Sequence, residues 1–136
     1  MNKLLVIVFA FLLVSSCKKD EVVETPGLST DLKNVSSLVE YENGIKSGVS
    51  LMFFHATWCS ICKAQRPAVE NVVKEVELKA VNFGQVDTDK NNDILNKYDI
   101  QGQPIIVIYK DGVEKNRLAG SGHSQQKISE ILKALL

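Results

Sequence analysis

The residues best suited to chemistry lie in one short stretch, Trp58-Cys59-Ser60-Ile61-Cys62-Lys63, which holds two of the three cysteines of the chain. An apolar run, Leu51-Met52-Phe53-Phe54, comes before it, and a helical pattern begins near Cys59. The first-turn amides of a helix have no intrahelical acceptors and carry the positive end of the helix dipole. A thiolate at that place is stabilised, so its pKa falls below the ~8.5 of a free cysteine. Cys59 occupies that place. Cys62, one turn on, shares its helix face and can reach it to close a small disulfide. The spacing reads as a redox couple, with a static disulfide or half of a zinc site as alternatives. A zinc site needs two further ligands. Only His55 and His123 are available as histidines, and neither sits in a second paired motif. No metal and no organic cofactor is expected.

The elements that must position this pair can be read along the chain. Leu28 to Val35 is expected as a first strand. Ser37 and Glu40 form a capping box for a helix to about Ser47, burying Leu38, Tyr41 and Ile45, with Gly48 ending it. Val49 to His55 is a continuously apolar, buried strand. The helix that carries the cysteines is expected from Cys59 to Lys79, with Val69, Val72, Val73 and Val76 inward and Pro67 kinking it. Val81 to Val86 is the next strand, and Asn91 or Asn92 caps a helix through Tyr98. Ile105 to Tyr109 is a strand, and Asp111-Gly112 is a two-residue hairpin signal that pairs it with Val113 to Ala119. Ser124 caps a last helix striped by Ile128, Ile131, Leu132 and Leu135. The order β-α-β-α-β-α-β-β-α implies an α/β fold: one mixed central sheet with helices on both faces.

With 136 residues, one domain is expected beyond the N-terminus. Formal net charge is zero, which gives nucleic-acid binding no support. Met1-Asn2-Lys3 is a short basic start, and Leu4 to Val14 is an uncharged apolar run. That run is short for a ~30 Å hydrocarbon core but suits the h-region of an export signal. It ends in Val14-Ser15-Ser16-Cys17, which resembles a bacterial lipobox. The resemblance implies a lipoprotein signal peptide over 1–16, lipidation of Cys17 and a mature chain anchored to a membrane. The alternative is an ordinary signal peptide that leaves Cys17 a free thiol. Residues 17–29 are charged, broken by Pro26-Gly27, and read as a tether. Lys18-Lys19-Asp20-Glu21 looks like the start of many Bacteroidetes-type lipoproteins, where it can sort toward the cell surface. A solvated linker is the other reading. Export would place the cysteine pair where a disulfide can persist.

From about residue 30 to the end, the chain resembles thioredoxin-like proteins. Phe53-Phe54-His55-Ala56-Thr57-Trp58-Cys59-Ser60-Ile61-Cys62-Lys63 looks like the family's strand, tryptophan and redox motif. Pro67 is similar to its kink proline. Tyr98-Asp99-Ile100-Gln101-Gly102-Gln103-Pro104 looks like the segment leading to its cis-proline, and Gly120 resembles the glycine after its last strand. The resemblance implies a thioredoxin-like fold over 30–136. It implies Cys59 as the attacking cysteine and Cys62 as the resolving one. It implies Trp58, Gln103, Pro104 and Gly120 as the surface that meets substrate, with Pro104 cis and the neighbouring backbone free to pair with an extended peptide.

Two departures bear on mechanism. Many members of the family carry a buried aspartate six residues before the first cysteine, with a lysine partner on the next strand; here those places look like Phe53 and Gln85. The usual proton acceptor for Cys62 is therefore missing. His55 could substitute or tune Cys59, or could be a strand-end residue without a catalytic part. The Ser60-Ile61 dipeptide matches neither typical thioredoxins nor strong oxidants. With no histidine between the cysteines, Cys59 should be less acidic than in a strong oxidant, which favours a reductase. The expected function is thiol–disulfide exchange on exported client proteins, with a membrane electron donor re-reducing the pair. The protein is expected to act as a monomer on the periplasmic face or cell surface of a bacterial membrane. The rival is a non-catalytic thioredoxin-fold binding module with a structural disulfide.

Overall fold

The computed structural model describes residues 32–136. Cys17, the apolar run and the tether therefore lie outside the described residues, as does the start of the first expected strand. Five strands and four helices follow in the expected order. They are β1 (Lys33–Val35), α1 (Leu38–Ile45), β2 (Val49–His55), α2 (Ser60–Val73), β3 (Asn82–Asp87), α3 (Asn92–Lys97), β4 (Ile105–Lys110), β5 (Val113–Ala119) and α4 (Gln125–Lys133), with a 3₁₀ turn at Val76–Leu78. The sheet order is β1-β3-β2-β4-β5. β3 runs parallel to both β1 and β2, while β4 is antiparallel to β2 and to β5. This is the mixed sheet that the strand order implied.

Alternation along β2 sends side chains to two separate cores. Leu51 and Phe53 join Val69, Val72, Val73, Ile128 and Leu132 beneath α2 and α4. Met52 and Phe54 join Tyr41, Ile45, Ile94 and Tyr109 beneath α1 and α3. Each fully buried side chain of this size contributes about 1.5–3 kcal/mol of transfer free energy. All of β2 except His55 is buried, as its apolar run requires.

Local signals place the element ends. The Ser37 hydroxyl accepts from the Glu40 amide, capping α1, and the Ser124 hydroxyl accepts from the Lys127 amide, capping α4. The Glu40 carboxylate reaches back to the amide of Ser36 at 3.0 Å, one residue earlier than a capping box requires. That hydrogen bond holds the Glu40 carboxyl below its ordinary range. Asp111 and Gly112 both have positive φ, 51° and 79°, as a type I′ hairpin turn demands. The turn is tied down where α1 meets β2: Gly48 N donates to Asp111 Oδ1 at 2.7 Å, and Gly112 N donates to Ile45 O at 2.8 Å.

Several expected boundaries move. α1 stops at Ile45, before Gly48, and Leu38 is only half-buried. α2 runs unbroken through Pro67 but ends at Val73, not Lys79, with Lys74 as C-cap. Val76 falls in the 3₁₀ turn and is 66% exposed, so it does not extend the inner stripe of α2. The 3₁₀ turn rotates the chain so that Leu78 fills the core in its place. β3 lies one residue later than expected.

Candidate active site

The end of β2 turns directly into the cysteine motif. Cys59 is the N-cap of α2, with extended backbone at φ −80° and ψ 105°. Its Sγ accepts from the Cys62 amide at 3.2 Å. Cys59 and Cys62 are joined as a disulfide, with their Cα atoms 5.2 Å apart. Both are buried and pack with Ala56. Cys59 Sγ thus sits where a first-turn amide points at it, an arrangement that favours negative charge on the sulfur once the pair is reduced. Among the described residues, no group of three or more His, Cys, Asp or Glu side chains could hold a metal ion.

The neighbouring strand fixes what lies opposite. Phe54 pairs with Ile105 and Ala119 pairs with Ile105, so Pro104, Gly120 and the cysteine motif share one end of the sheet. The Gln103–Pro104 peptide is cis. Pro104 is buried and its carbonyl accepts from the Gly120 amide at 2.9 Å, while Gln103 stays half-exposed. Gly120 has φ +80°, a conformation that favours glycine. Trp58 is 66% exposed, and its indole N–H donates to Asp89 Oδ2 at 2.8 Å. The ring is held on the surface beside the disulfide, with Ile61 also exposed on the rim.

Beneath α2, Phe53 and Gln85 face each other across β2 and β3. Phe53 is fully buried. The guanidinium of Arg66 lies 5.3 Å from the centroid of the Phe53 ring, and its Nη1 donates to Gln85 Oε1 at 2.9 Å. Gln85 in turn donates to Asn34 Oδ1 at 2.8 Å. His55 stacks on Phe53 with centroids 5.7 Å apart. Burial, reinforced by the charge of Arg66 and only partly offset by Asp87, holds the His55 imidazole below its ordinary value. His55 lines a groove of about 430 Å³ with Thr57, Gln85, Asp87 and Lys90.

Sequence reasoning did not single out Gln65, Arg66 or Asp89. Gln65 is buried and clamps the last loop, donating to His123 O at 2.7 Å and accepting from His123 N at 3.0 Å. Its signal was present, since a glutamine stands on the inner stripe of α2 between Cys62 and Val69. His123, held at its backbone N and O by this clamp, is half-buried. Arg66 was legible only as the residue one turn after Cys62. Asp89 gave no local signal.

A mixed sheet flanked by helices, with a disulfide pair capping the helix that follows a central strand, defines a thioredoxin-like thiol–disulfide oxidoreductase. A family model described as Thioredoxin matches residues 33–134. The thioredoxin of Staphylococcus aureus is 30% identical over 93 residues, covering 68% of this chain and 88% of that protein. The structure of Fasciola hepatica thioredoxin superposes with a TM-score of 0.66 at 29% identity, covering 77% of this chain and 100% of that one. Oxidised mitochondrial thioredoxin 3 of Saccharomyces cerevisiae does so with 0.67 at 26% identity, covering 76% and 95%. The chain belongs to the thioredoxin family.

Proposed function

We propose that this protein acts as a disulfide reductase for exported proteins, tethered to a membrane through lipid on Cys17. The observation that supports it most directly is the Cys59–Cys62 disulfide at the N-terminus of α2, where the Cys62 amide points at Cys59 Sγ. In the reduced protein, Cys59 thiolate attacks one sulfur of a client disulfide. A mixed disulfide forms and the other client sulfur leaves as thiolate, taking a proton from water. Cys62, as thiolate, then attacks Cys59 Sγ. The Cys59–Cys62 bond forms, the second client thiolate leaves, and the client has gained two electrons. A membrane electron donor returns them. Trp58 and the Gln103–Pro104 backbone receive the extended client segment, and Gly120 leaves room beside it.

The lipobox-like Val14-Ser15-Ser16-Cys17 and the charged stretch after it support anchoring at the periplasmic face or cell surface. No helix among the described residues is long and apolar enough to cross a membrane. Tethering raises the local concentration of the pair near a membrane donor. The redox domain acts as a monomer.

The first test equilibrates the full chain in detergent against dithiothreitol buffers. A potential near the ~−270 mV of a thioredoxin supports a reductase, and one near ~−120 mV would overturn the direction. A pair that cannot be reduced reversibly without unfolding would leave a binding module instead. Membrane fractionation of the chain and its Cys17→Ala variant tests the anchor; equal retention of both would remove it.

A further inference from the structure

Arg66 has no part in the exchange steps above, yet it occupies the space beneath the redox helix. It lies four residues after Cys62 on α2, one turn further along the same face. Side chains at i and i+4 are neighbours on a helix surface, so Arg66 is a neighbour of Cys62 on the C-terminal side of that face. Three contacts hold the guanidinium: the Phe53 ring at 5.3 Å, Gln85 Oε1 at 2.9 Å and Glu70 Oε1 at 3.5 Å. Its side chain is 28% exposed, so its charge is screened less than that of a fully solvated arginine.

We propose that Arg66 is a positioning residue that favours ionisation of the Cys62 thiol, by fixed positive charge, at a site where Phe53 stands at the place of a buried carboxylate. The inference rests on the exchange reading and concerns its second half. After the mixed disulfide forms, Cys62 must lose a proton before its sulfur can attack Cys59 Sγ. Phe53 offers no acceptor. A cation held one turn away lowers the cost of the thiolate, and the proton passes to water. Electrons balance as before: the Cys62 thiolate supplies the pair that forms the new S–S bond, and the client thiolate carries away the pair of the broken one.

The surrounding charges decide how much field remains. Glu70, one turn further along α2, meets Arg66 Nη1 at 3.5 Å with its side chain 46% exposed. It offsets part of the charge from the side away from Cys62. On the sheet, His55 and Gln85 face Arg66, and Asp87 lies beyond at the end of β3. The neutral form of His55 is favoured by burial first and by the nearby charge of Arg66 second. From β1, Asn34 reaches Gln85 and is uncharged. Lys63 is exposed on the outer side of the helix and faces solvent.

The test isolates Cys62 in the full chain by Cys59→Ser together with Cys17→Ala, since the chain holds three cysteines, and follows thiolate absorbance against pH. Adding Arg66→Met should move the midpoint up by roughly one pH unit or more, and Arg66→Lys should restore most of the shift. With Cys59 present and hydroxyethyl disulfide as the probe, Arg66→Met should slow resolution at pH 7. The lost thiolate is partly offset by its greater nucleophilicity, so about a threefold loss is expected for a unit shift, disappearing at high pH. If Arg66→Met does not fold, Glu70→Gln replaces it and should move the midpoint down. An unmoved midpoint in either folded variant overturns the proposal. The titration uses no client and no donor. A wrong direction of electron flow therefore leaves it standing, and its failure leaves the exchange reading untouched.

Discussion

The two faces of the sheet are built differently. Under α1 and α3 the polar atoms close on themselves: the Tyr41 and Tyr109 hydroxyls meet at 2.8 Å, inside a cluster that also holds Tyr98 and Phe54. Burial raises both phenols, pushing Tyr109 up to about 12, so both hydroxyls stay neutral over the usual pH range. Under α2 and α4 the polar atoms reach outward instead. Gln65 ties the redox helix to the last loop, and Arg66 ties it to β3. One face is held by packing and a private hydrogen bond. The other face holds the position and electrostatics of a helix that must change its chemistry. Substitutions on the first should move stability alone, and those on the second should move redox behaviour.

The sharpest break between the faces comes from Cys59→Ser. Client reduction should fall to background in an insulin-type turbidity assay, while far-ultraviolet circular dichroism keeps the native signature. A large effect confined to stability is expected opposite, from Tyr41→Ala. Emptying that fully buried site should cost about 3–5 kcal/mol in urea unfolding, with the reduction potential of the surviving folded protein unchanged. A shifted potential would show that the faces are coupled. Tyr41→Phe is milder. It strands the Tyr109 hydroxyl and should cost about 1–3 kcal/mol, while Tyr41→Phe with Tyr109→Phe should cost less than the sum of the two single changes.

The smallest effect lies at His55. Because the folded protein favours the neutral imidazole, it binds fewer protons than the unfolded chain below about pH 6.5. This contribution to stability is intact above that pH and is lost as pH falls through the lowered folded value. His55→Asn should flatten this part of the profile and leave the steeper loss below about pH 4.5, where carboxyls such as Glu40 and Glu114 titrate. Thermal unfolding at half-unit pH steps resolves the two windows.

What the sequence showed and what it hid divide by distance along the chain. β2, the Cys59 helix start, the serine caps at 37 and 124 and the Asp111-Gly112 turn each rest on residues within a few positions of one another, and each was legible. The end of α2 misled because valines continue at helical spacing to Val76, whereas the chain leaves the helix at Lys74. The partners that shape the site were hidden for a different reason. Trp58 and Asp89 are 31 residues apart, Gln65 and His123 are 58 apart, and Tyr41 and Tyr109 are 68 apart. No periodicity points from one to the other. Phe53 and Gln85 were recognised as the places of a missing acid–base pair, but the arginine between them was visible only in three dimensions.

The hold of Asp89 on the indole also has an optical consequence. Trp58 is the only tryptophan in the chain, and it adjoins Cys59. A disulfide quenches the emission of an indole beside it, and a dithiol does so far less. With one indole in the chain, at the residue next to Cys59, tryptophan emission reports from a single place. The chain therefore carries its own unlabelled gauge of oxidation state, readable during turnover.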